Sequence, residues 1–456
     1  MKISLKLVTI NLVLPLICII AFSFLLGTNY YVYFIYVLLG FLFYLLTKFL
    51  GWEVSFLFII PVLIIALVLT GNFFFLDFYN NNGLNPLKIH PFVLSWLTVF
   101  FLYFMENLIK GRIIFDKISI LCVLVLSIFF GVTFYIKGTS GMSLAIHNYL
   151  GPISFFLFFY CNRKINLKKV NKAVEIMICF SVLIGLLGIC EYLTGVNIFQ
   201  NLYNENHPAW LYSTIRDGYR IKTIIGHPLD NAIFFLFSMI IVQMKIENTK
   251  LKYAFLLLFI IDILLTGSRS IFVIAFMVLL YNKQVFKGGW KNAKQYLITI
   301  SVIGIAVFLT FNTSLGSTFI NRVGGASDST QVRFMLIDYF IKHLSSFQIM
   351  GLGGASENIK IIGQFNTPII LENPWIILFF DVGYFILLYI LLLIFILCRI
   401  EYKILVIIFI FALSGYNSFG VKNNANYFLF YLLTYGYILA REKKSSSLLK
   451  TNEQDF

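Results

Sequence analysis

Charge is scarce in this chain: only 12% of its 456 residues are Asp, Glu, Lys or Arg, with 20 acids against 35 bases. A water-soluble fold of this size cannot cover itself with so little polar surface. Cysteine is sparse too, and the six present (Cys18, Cys122, Cys161, Cys179, Cys190 and Cys398) form no CxxC pair and fall mostly within or beside apolar runs. They read as buried thiols, with no zinc or disulfide framework. The sequence contains no DxD acid pair for a divalent metal, no P-loop and no Ser-centred nucleophile elbow. These absences argue against an ATP-driven pump and a metal-dependent nucleotide-sugar transferase, and no metal or other cofactor is expected.

What the chain has in abundance is hydrocarbon, 60% hydrophobic residues with 18% aromatic. Apolar runs of about 18 to 22 residues, long enough to cross a bilayer as helices, recur from end to end. They lie at 7–26, 29–47, 53–70, 91–107, 118–136, 143–161, 173–193, 227–244, 253–267, 270–283, 296–315, 373–394, 404–420 and 426–440. The pattern predicts an all-α, polytopic integral membrane protein with about fourteen transmembrane helices. The run at 143–161 is interrupted by Pro152, and the run at 270–283 is short. The first run, behind Lys2 and Lys6, is too long for a signal-peptide core and lacks a small-x-small cleavage site, so it reads as a span.

The net charge of +15 is read as topology, with no nucleic-acid partner. Placing the N-terminus in the cytoplasm puts most bases inside, among them RKINLKK at 163–169 and KQVFKGGWKNAK at 283–294. The C-terminal REKK at 441–444 then falls inside as well. Two outer segments are long, roughly 194–226 and 316–372, and long loops are where chemistry is usually held. The chain divides into N-terminal spans (1–172), a region carrying both outer loops (173–400), and C-terminal spans with a basic tail (401–456). Within the second loop, residues 328–347 place apolar side chains at helical spacing behind a capping box of Asp328 and Gln331. This predicts an amphipathic helix on the outer membrane face. GGAS followed by an acid occurs at 324–328 and 353–357, a pattern open to anion-binding nests but better explained by ordinary turns.

The outer segments gather cations: Arg216, Arg220 and Lys222 in the first, Arg322 and Arg333 in the second, and Arg269 in the turn TGSRS. Arginine is costly near hydrocarbon, and its planar fork suits phosphate oxygens. The same side chains would equally serve lipid headgroups, or pair with Asp217, Asp328 and Asp338. GHPLDNA opens the eighth run and places His227, Asp230 and Asn231 in its first turn, where His227 reads either as a proton relay or as part of a capped helix entrance. Glu372 precedes Asn373, a good N-cap, and Pro374, a good first helical residue. An acid there either stabilises the helix dipole or acts as a general base tuned by burial and neighbouring arginine. Asp381, Asp262 and Glu191 read as acids paired with polar groups inside the bundle.

Four pieces, in order, resemble the O-antigen ligase and polymerase superfamily over roughly residues 170–400. YRIKTIIGHPLDNA is similar to the family's Arg followed by Gly-His-Pro-Asn at a span entrance, and LLTGSRS to its Thr-x-Ser-Arg turn. Arg333, a short helix and GLGG resemble its arginine loop ending in Gly-x-Gly. ENPWIILFFDVG is similar to its His-Asn, nine residues, Gly pattern, with Gly383 in place and Glu372 where the ligases carry His. That departure favours a polymerase over a ligase. The resemblance implies a bacterial cytoplasmic-membrane enzyme whose partners are undecaprenyl-diphosphate-linked oligosaccharide donor and acceptor, membrane lipids, a flippase and a chain-length regulator. It further implies that Arg220, Arg333 and Arg269 contact the pyrophosphate, with Arg216, Lys222, His227 and Asn373 nearby, and that Glu372 takes the histidine's role. The rival readings are a lipid-linked oligosaccharide flippase, a ligase, and a peptidoglycan polymerase of the shape, elongation and division type, whose catalytic Asp in one dominant loop finds no match here.

Overall fold

A computed structural model of the chain describes residues 91–111, 116–162, 165–197, 220–225, 228–281, 373–414 and 425–452, with short pieces within 37–45 and 338–342 and at 349–351. The apolar runs at 7–26, 53–70 and 296–315 lie outside the described residues, as does most of the amphipathic segment 328–347. Among the described residues there are helices and turns and no strand. The helices are α1 (Pro91–Ile109), α2 (Lys117–Ala145), α3 (Gly151–Cys161), α4 (Leu167–Thr194), α5 (Pro228–Lys245), α6 (Thr249–Leu265), α7 (Arg269–Leu280), α8 (Pro374–Val382), α9 (Ile386–Leu397), α10 (Lys403–Leu413) and α11 (Ala425–Asn452).

Local chemistry sets several of these boundaries. Asp116 accepts from Ile118 N and Ser119 N at 3.1 and 3.0 Å to open α2. Asn248 opens α6 in the same way, accepting from Lys250 N and Leu251 N at 3.1 and 3.2 Å. Gly195, at φ +68°, closes α4 by donating its N–H to Glu191 O. The run at 143–161 is irregular next to Pro152: a π turn, Ile146–Leu150, follows α2, and Pro152 then sits in the first turn of α3, a position that tolerates its missing N–H. The runs at 118–136 and 143–161 are joined by a kink at Gly138 (φ +59°).

Side-chain contacts fix the helix directions. Trp96 Nε1 donates to Ser154 Oγ (3.2 Å) and Tyr103 packs on Phe158, so α1 and α3 run together. Tyr160 donates to Asp116, which turns α2 against them. The pair Lys245–Glu175 (3.0 Å) sets α5 antiparallel to α4, and Gln243 donating to Val278 O (3.2 Å) sets α7 parallel to α5. Asn373 and Trp375 at the start of α8 bind Ser414, one residue past α10. Arg441 of α11 reaches Asn162 O at the far end of α3.

The bundle therefore has two polar ends. One collects Lys117, Lys169, Lys245, Arg399, Lys403 and Arg441; the other holds Glu191, Arg220, Lys222, Arg269, Asn373 and Ser414. Between them lies a core rich in aromatic side chains, with Phe237 stacked on Phe428 and Phe155 on Tyr431.

Four stretches, Lys117–Gly138, Leu167–Thr194, Pro228–Lys245 and Pro374–Leu397, are long and apolar enough to cross a membrane. Val93–Ile109, Asn148–Cys161, Arg269–Leu280 and Lys403–Leu413 are shorter apolar helices. Large apolar side chains such as Leu183, Leu186, Leu387 and Phe395 face outward, a surface suited to lipid. The described cysteines carry no disulfide, but the thiols divide: Cys122 and Cys161 are buried, whereas Cys179 and Cys190 on α4 and Cys398 just past α9 are exposed and not inside the core.

Replacing the α6 cap tests this reading of the boundaries. Asn248→Ala is expected to lower stability by about 1 kcal/mol and Asn248→Asp to retain it, measured as thermal unfolding in detergent.

Candidate functional site

The segment 220–225 belongs to no helix, yet it is pinned to the ends of three. Glu191, in the last turn of α4, accepts from Lys222 N through Oε1 and from Thr223 N through Oε2, both at 2.8 Å. Asn231, in the first turn of α5, donates Nδ2 to Lys222 O, and its Oδ1 accepts from Thr223 Oγ1. Asn197 Nδ2 donates to Thr223 O at 3.1 Å. Together these contacts hold Thr223 at φ +46°, a left-handed conformation that a β-branched residue seldom adopts.

The third attachment is to the TGSRS turn. Thr266 stays helical, Gly267 turns at φ +68° and Ser268 is extended, so that α7 starts at Arg269. Ile221 N donates to Leu265 O (3.2 Å) and Arg220 Nε to Thr266 O (2.6 Å), satisfying carbonyls that the end of α6 leaves open. Gly267 also makes room for the arginine: a Cβ there would stand 3.2 Å from Arg220 Nε. Arg220 and Arg269 are half-buried, and Lys222 is buried. Burial pushes the Lys222 ammonium below the ordinary lysine range, opposed by Glu191 and reinforced by Arg220.

Asn373 caps α8 as its sequence position predicts, accepting from Trp375 N (3.0 Å) and Ile376 N (3.2 Å). Its Nδ2 donates to Ser414 O (3.3 Å), and Trp375 Nε1 to Ser414 Oγ (3.0 Å). The span that follows is not continuous. At Gly383 (φ +61°) α8 gives way to a 3-10 turn, Gly383–Phe385, and the helix resumes as α9. The turn at 349–351 fits into this break: Tyr384 N donates to Ile349 O at 3.0 Å, and Gly351 (φ +72°) lies back to back with Gly383. A Cβ on Gly383 would stand 2.2 Å from Ile349 O, and one on Gly351 2.4 Å from Gly383 N. Phe340 packs edge-on against Phe379, a second attachment of this loop to α8.

Of the residues singled out from the sequence, Arg220 and Lys222 share one segment, Arg269 follows the turn it rests on, and Asn373 lies at the same end of the bundle. Arg216, His227, Arg322, Arg333 and Glu372 lie outside the described residues. Sequence reasoning passed over Asn197 and Thr223; it read Glu191 as an acid paired with polar groups inside the bundle, and Glu191 does accept from Lys222 N and Thr223 N, partners the sequence did not name. An acid in the last turn of a helix opposes the helix dipole, and that was the available signal for Glu191. Asp262 corrects an expectation: neither carboxyl oxygen has a hydrogen-bond partner, and the group is sealed against Gly185 and Gly188 of α4. The two glycines explain how it fits, since a Cβ on Gly185 would stand 2.4 Å from Asp262 Oδ2. No group of three or more His, Cys, Asp or Glu suited to a metal ion occurs among the described residues. Comparisons with protein-family models, with curated proteins and with solved structures found no match.

Two glycine substitutions separate the joint from ordinary helix. Gly383→Ala combines a left-handed φ with a backbone clash and is expected to cost on the order of 1–3 kcal/mol. Gly131→Ala, in α2 with nothing within 4 Å of the added methyl, is expected to be neutral or stabilising in the same thermal-unfolding assay.

Proposed function

We propose that this chain is a polysaccharide polymerase that joins lipid-diphosphate-linked oligosaccharide repeat units on the outer face of a bacterial cytoplasmic membrane, with both termini cytoplasmic. The observation that carries the reading is Arg220 laid on the TGSRS turn, in a segment also clamped by Asn231. Pieces of sequence that resemble the O-antigen ligase and polymerase superfamily, far apart in the chain, meet at one end of the bundle. The Gly351–Gly383 contact joins two further pieces of that resemblance.

In this mechanism Glu372 accepts the proton of an acceptor sugar hydroxyl. The hydroxyl oxygen then bonds to the anomeric carbon of the donor glycan as the bond from that carbon to the lipid diphosphate breaks. Arg220 and Arg333, with Arg269, hold the charge that gathers on the departing diphosphate. The donor linkage supplies the driving force, so no nucleotide is consumed. Arg269 fits such a role because a cation at the start of a helix opposes the dipole and brings no gain to α7 itself. The resemblance assigns Arg216, Lys222, His227 and Asn373 to substrate binding, with a flippase delivering the repeat unit and a chain-length regulator limiting its growth.

Purified protein in liposomes, supplied with undecaprenyl-diphosphate-linked repeat units, is expected to produce longer chains. Translocation without elongation would identify a flippase, and transfer only to a core oligosaccharide a ligase. Arg220→Ala, Arg333→Ala and Glu372→Gln are each expected to slow elongation by roughly a hundredfold to a thousandfold while the protein stays in the membrane. In cells, the single lipid-linked unit should accumulate. Long polymer retained in any of the three would contradict the assignment.

A further inference from the structure

Glu191 spends its carboxylate on a segment far away in the chain. Lys222 and Thr223 are buried, 6% and 1% exposed, and their N–H groups have no helix or strand to serve them. Glu191, itself 4% exposed, takes one N–H on each oxygen at 2.8 Å, the short range of charge-assisted bonds. Its place in the last turn of α4 works against that helix's dipole, so α4 gains nothing from the charge. The gain lies in segment 220–225. With Lys222 and Thr223 held, Ile221 N meets Leu265 O and Arg220 Nε meets Thr266 O, which fixes the plane of the guanidinium. Glu191 also sets one negative charge beside Lys222, where Arg220 adds a second positive one, so the cations are brought close without unrelieved repulsion.

We propose that Glu191 is a positioning residue: it holds the 220–225 bend so that Arg220 is presented in one orientation to the diphosphate of the lipid-linked donor. The substrate clause rests on the polymerase reading; the clamp itself does not. An arginine already oriented by backbone contacts loses less freedom on binding an anion than a mobile one, so Glu191 acts on donor affinity through Arg220.

Glu191→Gln keeps the shape and one acceptor oxygen but turns an amide N–H₂ toward a backbone N–H. In liposomes supplied with undecaprenyl-diphosphate-linked repeat unit, it is expected to raise KM for the donor about tenfold to a hundredfold, with a smaller change in kcat. In an Arg220→Ala background the same substitution is expected to add less than about twofold, because the two residues act as a unit. Backbone hydrogen exchange across 220–225 should accelerate in Glu191→Gln and remain slow in Arg220→Ala. If Glu191→Gln does not reach the membrane, Asn197→Ala loosens the same bend through its contact with Thr223 O and should raise KM in the same direction. An unchanged KM, or equal effects with and without Arg220, would overturn the proposal. Should the unmodified protein elongate nothing, the polymerase reading fails and the exchange rates alone judge the clamp, with unchanged exchange refuting it.

Discussion

Backbone N–H and C=O groups that leave a helix in apolar surroundings must find partners within the protein. Among the described residues that demand is met at two irregular segments of the candidate site, and the rest of the site follows from how each is satisfied. At 220–225, Glu191, Asn197 and Asn231 serve the buried peptide groups, while the segment in turn closes the end of α6. At 349–351, the turn lends Ile349 O to the N–H that the break at Gly383 leaves open. Gly383 lies about 14 Å along the helix from Pro374 at ~1.5 Å per residue, so the repair is made well below the cap.

The same solution concentrates chemistry at one end. Both segments belong to the long connections that the sequence places outside, and the first brings Arg220 onto a rigid frame. Arg220 is anchored through Nε to a carbonyl. The opposite end is rich in lysine, with ion pairs Lys245–Glu175 and Lys443–Glu401 that tie helix ends together. Among the described residues the two ends thus differ in balance: lysines predominate at one, beside Arg399 and Arg441, whereas the other holds Arg220 and Arg269 at turns with the buried Lys222. The polymerase reading uses that difference, because a planar fork suits diphosphate oxygens better than a point charge does.

Much of the architecture was legible from hydrophobic run length alone, since closed helices are what such runs form in lipid. The runs at 118–136, 173–193 and 227–244 fall on helical stretches of membrane-crossing length, and the run at 373–394 on the stretch Pro374–Leu397, which is long enough only with its break at Gly383 included. Asn373 and Pro374 announced the start of α8 because capping is local chemistry. The break in that span was harder to read: a glycine inside an apolar run signals a kink only when something packs into it, and the turn that does so lies some thirty residues upstream. The partners of Glu191 and the isolation of Asp262 were hidden for the same reason. Glu191 clamps a bend about thirty residues downstream and Asp262 has no hydrogen-bond partner, and composition gives no means of telling such acids apart.

The account depends on the Glu191–Arg220–Thr266 end of the bundle facing away from the cytoplasm. Membrane-impermeant maleimide applied to spheroplasts tests this directly, using single cysteines in an otherwise cysteine-free protein. Val196→Cys, exposed just beyond α4, is predicted to react in intact spheroplasts, and Glu247→Cys, exposed between α5 and α6, only after the membrane is permeabilised. The reverse pattern would put the arginines on the cytoplasmic side and contradict the account.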